Sequence, residues 1–383
     1  MKTKTAHRNE YTLFQSYLYM AIELSQSEWK LGFTIGMGQK PRLRTIKARD
    51  LVGFQDEISA ARKRFGLPED ATVRSCYEAG RDGFWIHRFL LTIEVENLVV
   101  DSSSIEVNRK ARRKKTDKLD AGKLLMMLMR YHHGEEKVWS VVHVPSAQAE
   151  DHRHLHRALD TLKSERTRHI NRLKGLLIGQ GISVSVRNDF LVQLDTRRLW
   201  DGAPLRSGLQ CRLACEYHGL RFVEEQIKTL EAERLDLIRH SNRSDVELVR
   251  QLMCLKGIGA ASAWLFVMEF FAWRRFRNRR EVGSLSGLTP TPYQSGDASR
   301  EQGISKEGNT LVRSMAIQIA WGWLRYQPES KLSRWYQERY GKGSKRLRKI
   351  GIVALARRIL IDLWRYLDTG WIPEGVELKT RQL

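Results

Sequence analysis

Between Tyr17 and Val100 the apolar residues switch between the two-residue period of a strand and the 3.6-residue period of a helix. This alternation restricts the fold more than any other feature of the chain. Tyr17–Leu24 and Trp29–Ile35 alternate across a short polar turn and predict a β-hairpin, with a third strand around Leu43–Ile46. Leu51, Phe54, Ile58 and Ala61 then recur at helical spacing over residues 50–65. A strand at Thr72–Glu78, a helix from Gly83 to Ile93 and an apolar strand at Leu98–Val100 complete the pattern. A hairpin followed by alternating helices and strands predicts a mixed sheet flanked by helices.

Beyond Asp101 the character changes. Residues 108–115 carry six basic side chains in eight positions, and Thr116-Asp-Lys-Leu-Asp120 then opens a helix that runs through Met129. Residues 150–178 and 208–241 predict two long helices with leucine-rich stripes, packed as an antiparallel pair or short coiled coil. From Leu252 onward glycine-punctuated helices take over, with a polar, glycine-rich loop over 287–309 and helices near 309–326 and 350–368. The expected division is 1–147, 148–248 and 249–383. The fold class is therefore α/β followed by all-α.

Lysine and arginine number 66 against 44 acids, a net charge of +22, which points to a polyanionic partner, nucleic acid before anionic membrane. No apolar run reaches the ~18–20 residues of a membrane span, and Met1–Gln15 lacks a signal-peptide core. Cys76, Cys211, Cys215 and Cys254 are too scattered for a disulfide framework and are expected as reduced thiols in a cytoplasm.

Four carboxylates have the placement that metal chemistry needs. Glu23 projects from the first strand on the face opposite Ile22 and Leu24, and Glu78 ends the fourth strand. Asp117 and Asp120, three apart, share one helix face. Such a set suits Mg²⁺ or Mn²⁺, hard ions that prefer oxygen ligands. Taken alone, Asp117 and Asp120 equally suit a helix N-terminus, and either glutamate suits an ordinary surface.

In order and context, Ala21-Ile-Glu-Leu-Ser25, Tyr77-Glu-Ala-Gly80 and Lys115-Thr-Asp-Lys-Leu-Asp-Ala121 resemble the ribonuclease-H-like, RuvC-like domain of the DEDD insertion-sequence transposases. This is the "one-ten" family of bridge-RNA-guided recombinases. The resemblance implies Glu23, Glu78, Asp117 and Asp120 as a metal-binding tetrad. Glu23 departs from the family's usual Asp, which moves the oxygens outward by one methylene.

A second block extends the resemblance. Leu255-Lys-Gly-Ile-Gly259, Gly287-Leu-Thr-Pro290, Tyr293-Gln-Ser-Gly296, Gly303-Ile-Ser-Lys-Glu-Gly-Asn309 and Arg313 follow the family's C-terminal transposase domain in order and spacing. The match runs from about Tyr17 to Ile372 and implies Ser295 as a nucleophile that forms a phosphoserine ester with DNA. Physics alone leaves Ser299 and Ser305 open, and Ser-Gly in a polar loop is also ordinary turn chemistry. The resemblance further implies donor and target DNA, a structured noncoding bridge RNA, and serine and carboxylates meeting between subunits of a tetramer, a dimer of dimers associated with the nucleoid.

Candidate nucleic-acid contacts are Arg109, Lys110, Arg112, Arg113, Lys114 and Lys115 in the basic run, Arg168 and Arg172 (with Arg166) on the first long helix, and Lys256, Arg300, Lys306 and Arg313. Leu255–Gly259 has the form of a helix-hairpin-helix turn, or of a plain helix connection. Residues 341–349 add a flexible basic patch. His152, His154 and His156 lack a third ligand on one face and are assigned a polar or RNA-facing role. Two alternatives stand beside strand exchange: a Holliday-junction-type, metal-dependent nuclease without a covalent intermediate, and a non-catalytic nucleic-acid-binding relative.

Overall fold

The computed structural model describes residues 17–105, 117–295 and 298–379, and the side chains of these other than 117–120, 293–295 and 298–302. The basic run at 109–115 lies outside the described residues. The chain divides into two compact units, the first ending at Val144 and the second beginning at Pro145.

The first unit is a five-stranded mixed sheet of order β3-β2-β1-β4-β5, formed by β1 (Leu18–Leu24), β2 (Glu28–Thr34), β3 (Arg42–Lys47), β4 (Val73–Glu78) and β5 (Val95–Val100). β1, β2 and β3 are an antiparallel meander, whereas β1, β4 and β5 run parallel. The predicted strands and helices of this region all form, with ends shifted by a residue or a few.

The helices connect what antiparallel turns cannot. α1 (Leu51–Phe65) crosses from β3 to β4 and α2 (Trp85–Thr92) from β4 to β5. Asp50 caps α1 by accepting from the Gly53 amide at 2.9 Å, and Arg62, Lys63 and Arg64 suit the negative end of its dipole. Phe54, Ile58 and Ala61 bury the apolar face of α1, as the 3.6-residue spacing requires. With α2 they pack on Leu18, Met20, Ile22, Leu31, Phe33, Val73 and Tyr77, which share one face of the sheet.

The opposite face holds α3 (Asp117–His132), through Leu124, Leu125 and Leu128 against Tyr19, Ala21 and Cys76. Small residues set this packing. A methyl group on Gly32 would sit 3.1 Å from Leu125 Cδ1 and 3.6 Å from Ala121 Cβ. Gly32→Val therefore pushes α3 off the sheet. Overpacking of this kind costs about 1–3 kcal/mol, so the urea midpoint of the first transition should fall; an unchanged midpoint contradicts the packing described.

The second unit is helical. α4 (Ala147–Asp151) leads into α5 (His154–Ile178); after α6 (Phe190–Thr196), α7 (Ser207–His240) returns along α5. Leu159 meets Val223 and Ile227, while Leu173 and Leu177 meet Leu213, Tyr217 and Leu220, so the two long helices are an antiparallel pair. α8 (Ser244–Met253), α9 (Ala260–Phe266) and α10 (Arg279–Leu285) surround a separate core with α11 (Thr310–Tyr326), α12 (Lys331–Tyr336) and α13 (Lys345–Thr369). A π-helical turn, Val267–Phe271, follows α9. The segment expected as a glycine-rich loop is instead a β-hairpin, β6 (Pro290–Ser295) and β7 (Ala298–Ile304). Its alternation is obscured in the sequence by prolines at 290 and 292 and by the polar residues of both strands.

Candidate functional site

In the first unit, the parallel strands bring two of the expected acids to one edge. The β1–β4 ladder ends at Ile22 and Tyr77, so Glu23 and Glu78 follow one residue later on neighbouring strands. Glu23 continues the face of Tyr19 and Ala21, and Glu78 the face of Cys76, the face that α3 covers. Glu23 is also opposite Lys30 in the antiparallel register.

The direction of α3 follows from its contacts. His132, at its end, lies beside Tyr19, with ring centroids 6.2 Å apart; Ala121, near its start, lies beside Gly32, which pairs with Ala21. The helix therefore runs against β1. From Ala121 back to Asp117 is about 6 Å of helix, and from Ala21 on to Glu23 is about 7 Å of strand. The first turn of α3 is thus placed toward the strand ends that carry Glu23 and Glu78. The side chains of Asp117 and Asp120 lie outside the described residues. Among the described residues no group of three or more His, Cys, Asp or Glu is disposed to hold a metal. A third acid at this edge, Asp101, is occupied locally: it accepts from the Ser103 amide and hydroxyl, each at 2.9 Å.

In the second unit, Ser295 ends β6, with Ala298 as its partner across the hairpin, and Arg300 on β7 is opposite Tyr293. The base of the hairpin is built by the residues that made the sequence block distinctive. The Ser305 amide donates to the Thr289 carbonyl, that of Lys306 to Gly287, and that of Asn309 to Leu285. Gly287 and Gly308 both take positive φ, 68° and 95°. A Cβ on Gly287 would overlap the Glu307 carbonyl, and one on Gly308 would overlap the Leu285 carbonyl. Arg313 donates to the Lys306 carbonyl at 2.9 Å and to the Thr310 hydroxyl at 3.2 Å, so it braces this base. Lys306 itself is exposed.

Behind the hairpin base lies a buried ionic cluster that the sequence reading passed over. Glu269, fully buried in the π-helical turn, accepts from His156 Nε2 at 2.7 Å, from Arg157 Nε at 2.6 Å and Nη2 at 3.1 Å, and from Asn309 Nδ2 at 2.9 Å. Asn309 also caps α11 by accepting from the Val312 amide. One carboxylate thus ties α5, the π-helical turn and the end of the hairpin together. Burial raises its pKa, but the His156 and Arg157 hydrogen bonds and the Arg157 charge outweigh this and bring it to about 2. A signal existed: Glu269 is the one acid in the apolar run Ala263–Phe271.

The cluster decides between the polar and RNA-facing roles left open for His156 and bears on other expectations. His156 is not RNA-facing; it is buried against Glu269 because its apolar neighbours on α5 face inward. His152 binds Asp245 at 2.6 Å, which also holds Arg243, and His154 is exposed. Lys256, in the turn between α8 and α9, is 2.6 Å from Glu377. Arg168 is exposed, 3.8 Å from Glu165, and Arg172 lies 3.4 Å from Glu216.

The described architecture is a mixed sheet with acids at its parallel strand ends and a helical unit with a braced hairpin. Residues 249–337 match the family model described as transposase, IS116/IS110/IS902 family. The chain is 38% identical over 378 residues to the "putative transposase y4rJ" of Sinorhizobium fredii, covering 95% of each protein. It is 27% identical over 222 residues to the transposase for insertion sequence element IS1328 of Yersinia enterocolitica, covering 57% of this chain and 63% of that protein. The chain belongs to the IS116/IS110/IS902 family of insertion-sequence transposases.

Removing a partner from a buried ion pair costs about 3–5 kcal/mol, so Glu269→Ala should lower stability to denaturant by that order, and Glu269→Gln by less. The depressed pKa sets the pH dependence. Glu269 stabilises fully above its unfolded value near pH 4.5, and that contribution is lost as pH falls toward about 2. The stability gap between wild type and Glu269→Gln should therefore close over this window; a constant gap contradicts an ionised Glu269.

Proposed function

We propose that this transposase exchanges DNA strands through Ser295, with Glu23, Glu78, Asp117 and Asp120 holding Mg²⁺ or Mn²⁺. The observation that carries the reading is the common placement of Glu23, Glu78 and the start of α3 at one sheet edge and on one face. The strand order, an antiparallel meander continued by two parallel strands, supports a ribonuclease-H-like, RuvC-like assignment. The donor set fits a hard cation, being all carboxylate.

Ser295 performs the covalent step. Its hydroxyl loses a proton, Oγ bonds to the phosphorus of a DNA phosphodiester, and the bond from phosphorus to the departing strand oxygen breaks, that oxygen taking up a proton. The phosphoserine diester keeps the bond free energy, so a second strand's hydroxyl rejoins DNA by the reverse step without ATP. A bound divalent cation supplies charge that stabilises the ionised oxygens. The glycine-locked base holds β6 in place, and Lys306 and Arg313 contribute positive charge beside it.

The family reading adds a structured noncoding bridge RNA that pairs with donor and target DNA, and a tetramer in which carboxylates and serine come from different subunits. The net charge of +22 suits both nucleic acids. No described helix is long and apolar enough to cross a membrane.

Two plasmids carrying donor and target sites should recombine with wild-type protein and the element's flanking noncoding RNA, and a protein–DNA adduct should survive denaturation. Ser295→Ala should abolish both, whereas Ser299→Ala and Ser305→Ala retain the adduct. An adduct persisting in Ser295→Ala, or cutting without any adduct in wild type, contradicts the proposal; the latter is the behaviour of a junction nuclease.

A further inference from the structure

A second dense arginine run has no part in the roles above. Trp273-Arg-Arg-Phe-Arg-Asn-Arg-Arg280 holds five arginines in eight residues and no acid. It connects the π-helical turn of Glu269 to α10.

Its backbone is fixed from the inside. Phe276 is inserted between Phe270, Phe271 and Trp364, with ring centroids 4.8, 6.2 and 6.2 Å away. Asn278 caps α10 through the amides of Arg280 and Glu281, and the Glu281 carboxylate accepts from the Arg277 amide. Arg274 stacks on Trp273 at 4.2 Å, with Arg153 near the same ring at 5.2 Å. Burial, reinforced by the charge of Arg153, lowers the Arg274 pKa to about 10.

The same framework turns the remaining arginines outward. Arg275, Arg277, Arg279 and Arg280 are all exposed. Among the described residues none of the four forms a salt bridge, unlike Lys256, Arg172 and Arg334, which have acids within 4 Å. A solvated charged face is usually balanced by acids three or four residues away. Here the acid four residues from Arg277, Glu281, accepts from the Arg277 backbone amide and forms no salt bridge with the four guanidinium groups, which belong to arginine, the residue best matched to phosphate oxygens.

We propose that Arg275, Arg277, Arg279 and Arg280 form a docking surface for the phosphodiester backbone of duplex DNA. The choice of DNA rests on the reading of Ser295 as nucleophile. α10 joins the arginine run directly to Gly287–Thr289, the foot of β6. The helix spans about 10 Å and β6 about 20 Å. With up to about 13 Å for the four residues between them, flanking phosphates of a duplex engaged at Ser295 pass within about 45 Å of the run, on the order of thirteen base pairs at 3.4 Å each. The contacts go to the backbone, so they position a duplex without reading its sequence.

The test is an anisotropy titration of the full-length protein with a fluorescein-labelled 30-base-pair duplex of arbitrary sequence, between about 50 and 300 mM salt. Each neutralised phosphate contributes about −0.9 to the slope of log K against log salt. Replacing all four arginines with Ala should make that slope shallower by roughly three to four and weaken binding at 150 mM salt on the order of a hundredfold or more. The all-Lys variant should keep the wild-type slope, and melting temperatures should agree, since the four side chains are exposed. An unchanged slope in the Ala variant overturns the proposal. So does a loss confined to a 30-nucleotide RNA hairpin with duplex binding intact, which would assign the surface to RNA. Ser295→Ala should bind the duplex with the wild-type slope. An adduct that persists in Ser295→Ala would refute the nucleophile while leaving the slope measurement to judge the docking surface by itself.

Discussion

The packing of α3 across β1 and β4 is the constraint on which the acidic edge depends. Ala21, Gly32 and Cys76 present little side chain on this face, so Ala121, Leu124 and Leu125 approach the sheet closely. Because the helix runs against β1, its first turn is directed to the carboxyl ends of the parallel strands. Two glutamates on separate strands and a helix start from a third segment are thereby gathered at one edge. Like charges repel, so apolar burial elsewhere on α3 must hold the arrangement together; each buried leucine supplies about 1.5–3 kcal/mol.

The second unit solves a similar problem with a charge instead of small residues. Its hairpin is a two-stranded element, and an isolated hairpin is marginal in water. Gly287 and Gly308 let two backbone segments interlock at its foot, and Asn309 passes the constraint to Glu269. Burying a carboxylate is costly unless its lone pairs are used, and four hydrogen bonds from His156 and Arg157 on α5 and Asn309 at the start of α11 meet that need. Such a cluster accepts one arrangement of α5 relative to the hairpin and penalises others.

Much of the first unit was legible in the sequence because its strands alternate and its helices repeat at 3.6 residues. Leu51, Phe54, Ile58 and Ala61 predicted a buried stripe, and all but half-buried Leu51 are fully buried. The long helices also announced themselves, although Leu235 on the second is exposed while Arg234 beside it is buried. The hairpin of β6 and β7 did not, since prolines and polar residues hide a strand whose pairing is set by the glycine-locked base. The burial of His156 was hidden for a different reason: its partner Glu269 is 113 residues away, and no local spacing reveals it. The order of the acids was readable as a pattern, but their common edge depends on strand order and helix direction, which are tertiary facts.

The most direct measurement of the account is Mn²⁺ binding to the full-length protein, followed by calorimetry and electron paramagnetic resonance. Glu23→Gln, Glu78→Gln, Asp117→Asn and Asp120→Asn should each weaken binding tenfold or more, as the proposal that all four acids share one site requires. Binding that persists unchanged in any pair of strand and helix variants, such as Glu78→Gln and Asp120→Asn, would contradict a single metal set at this edge.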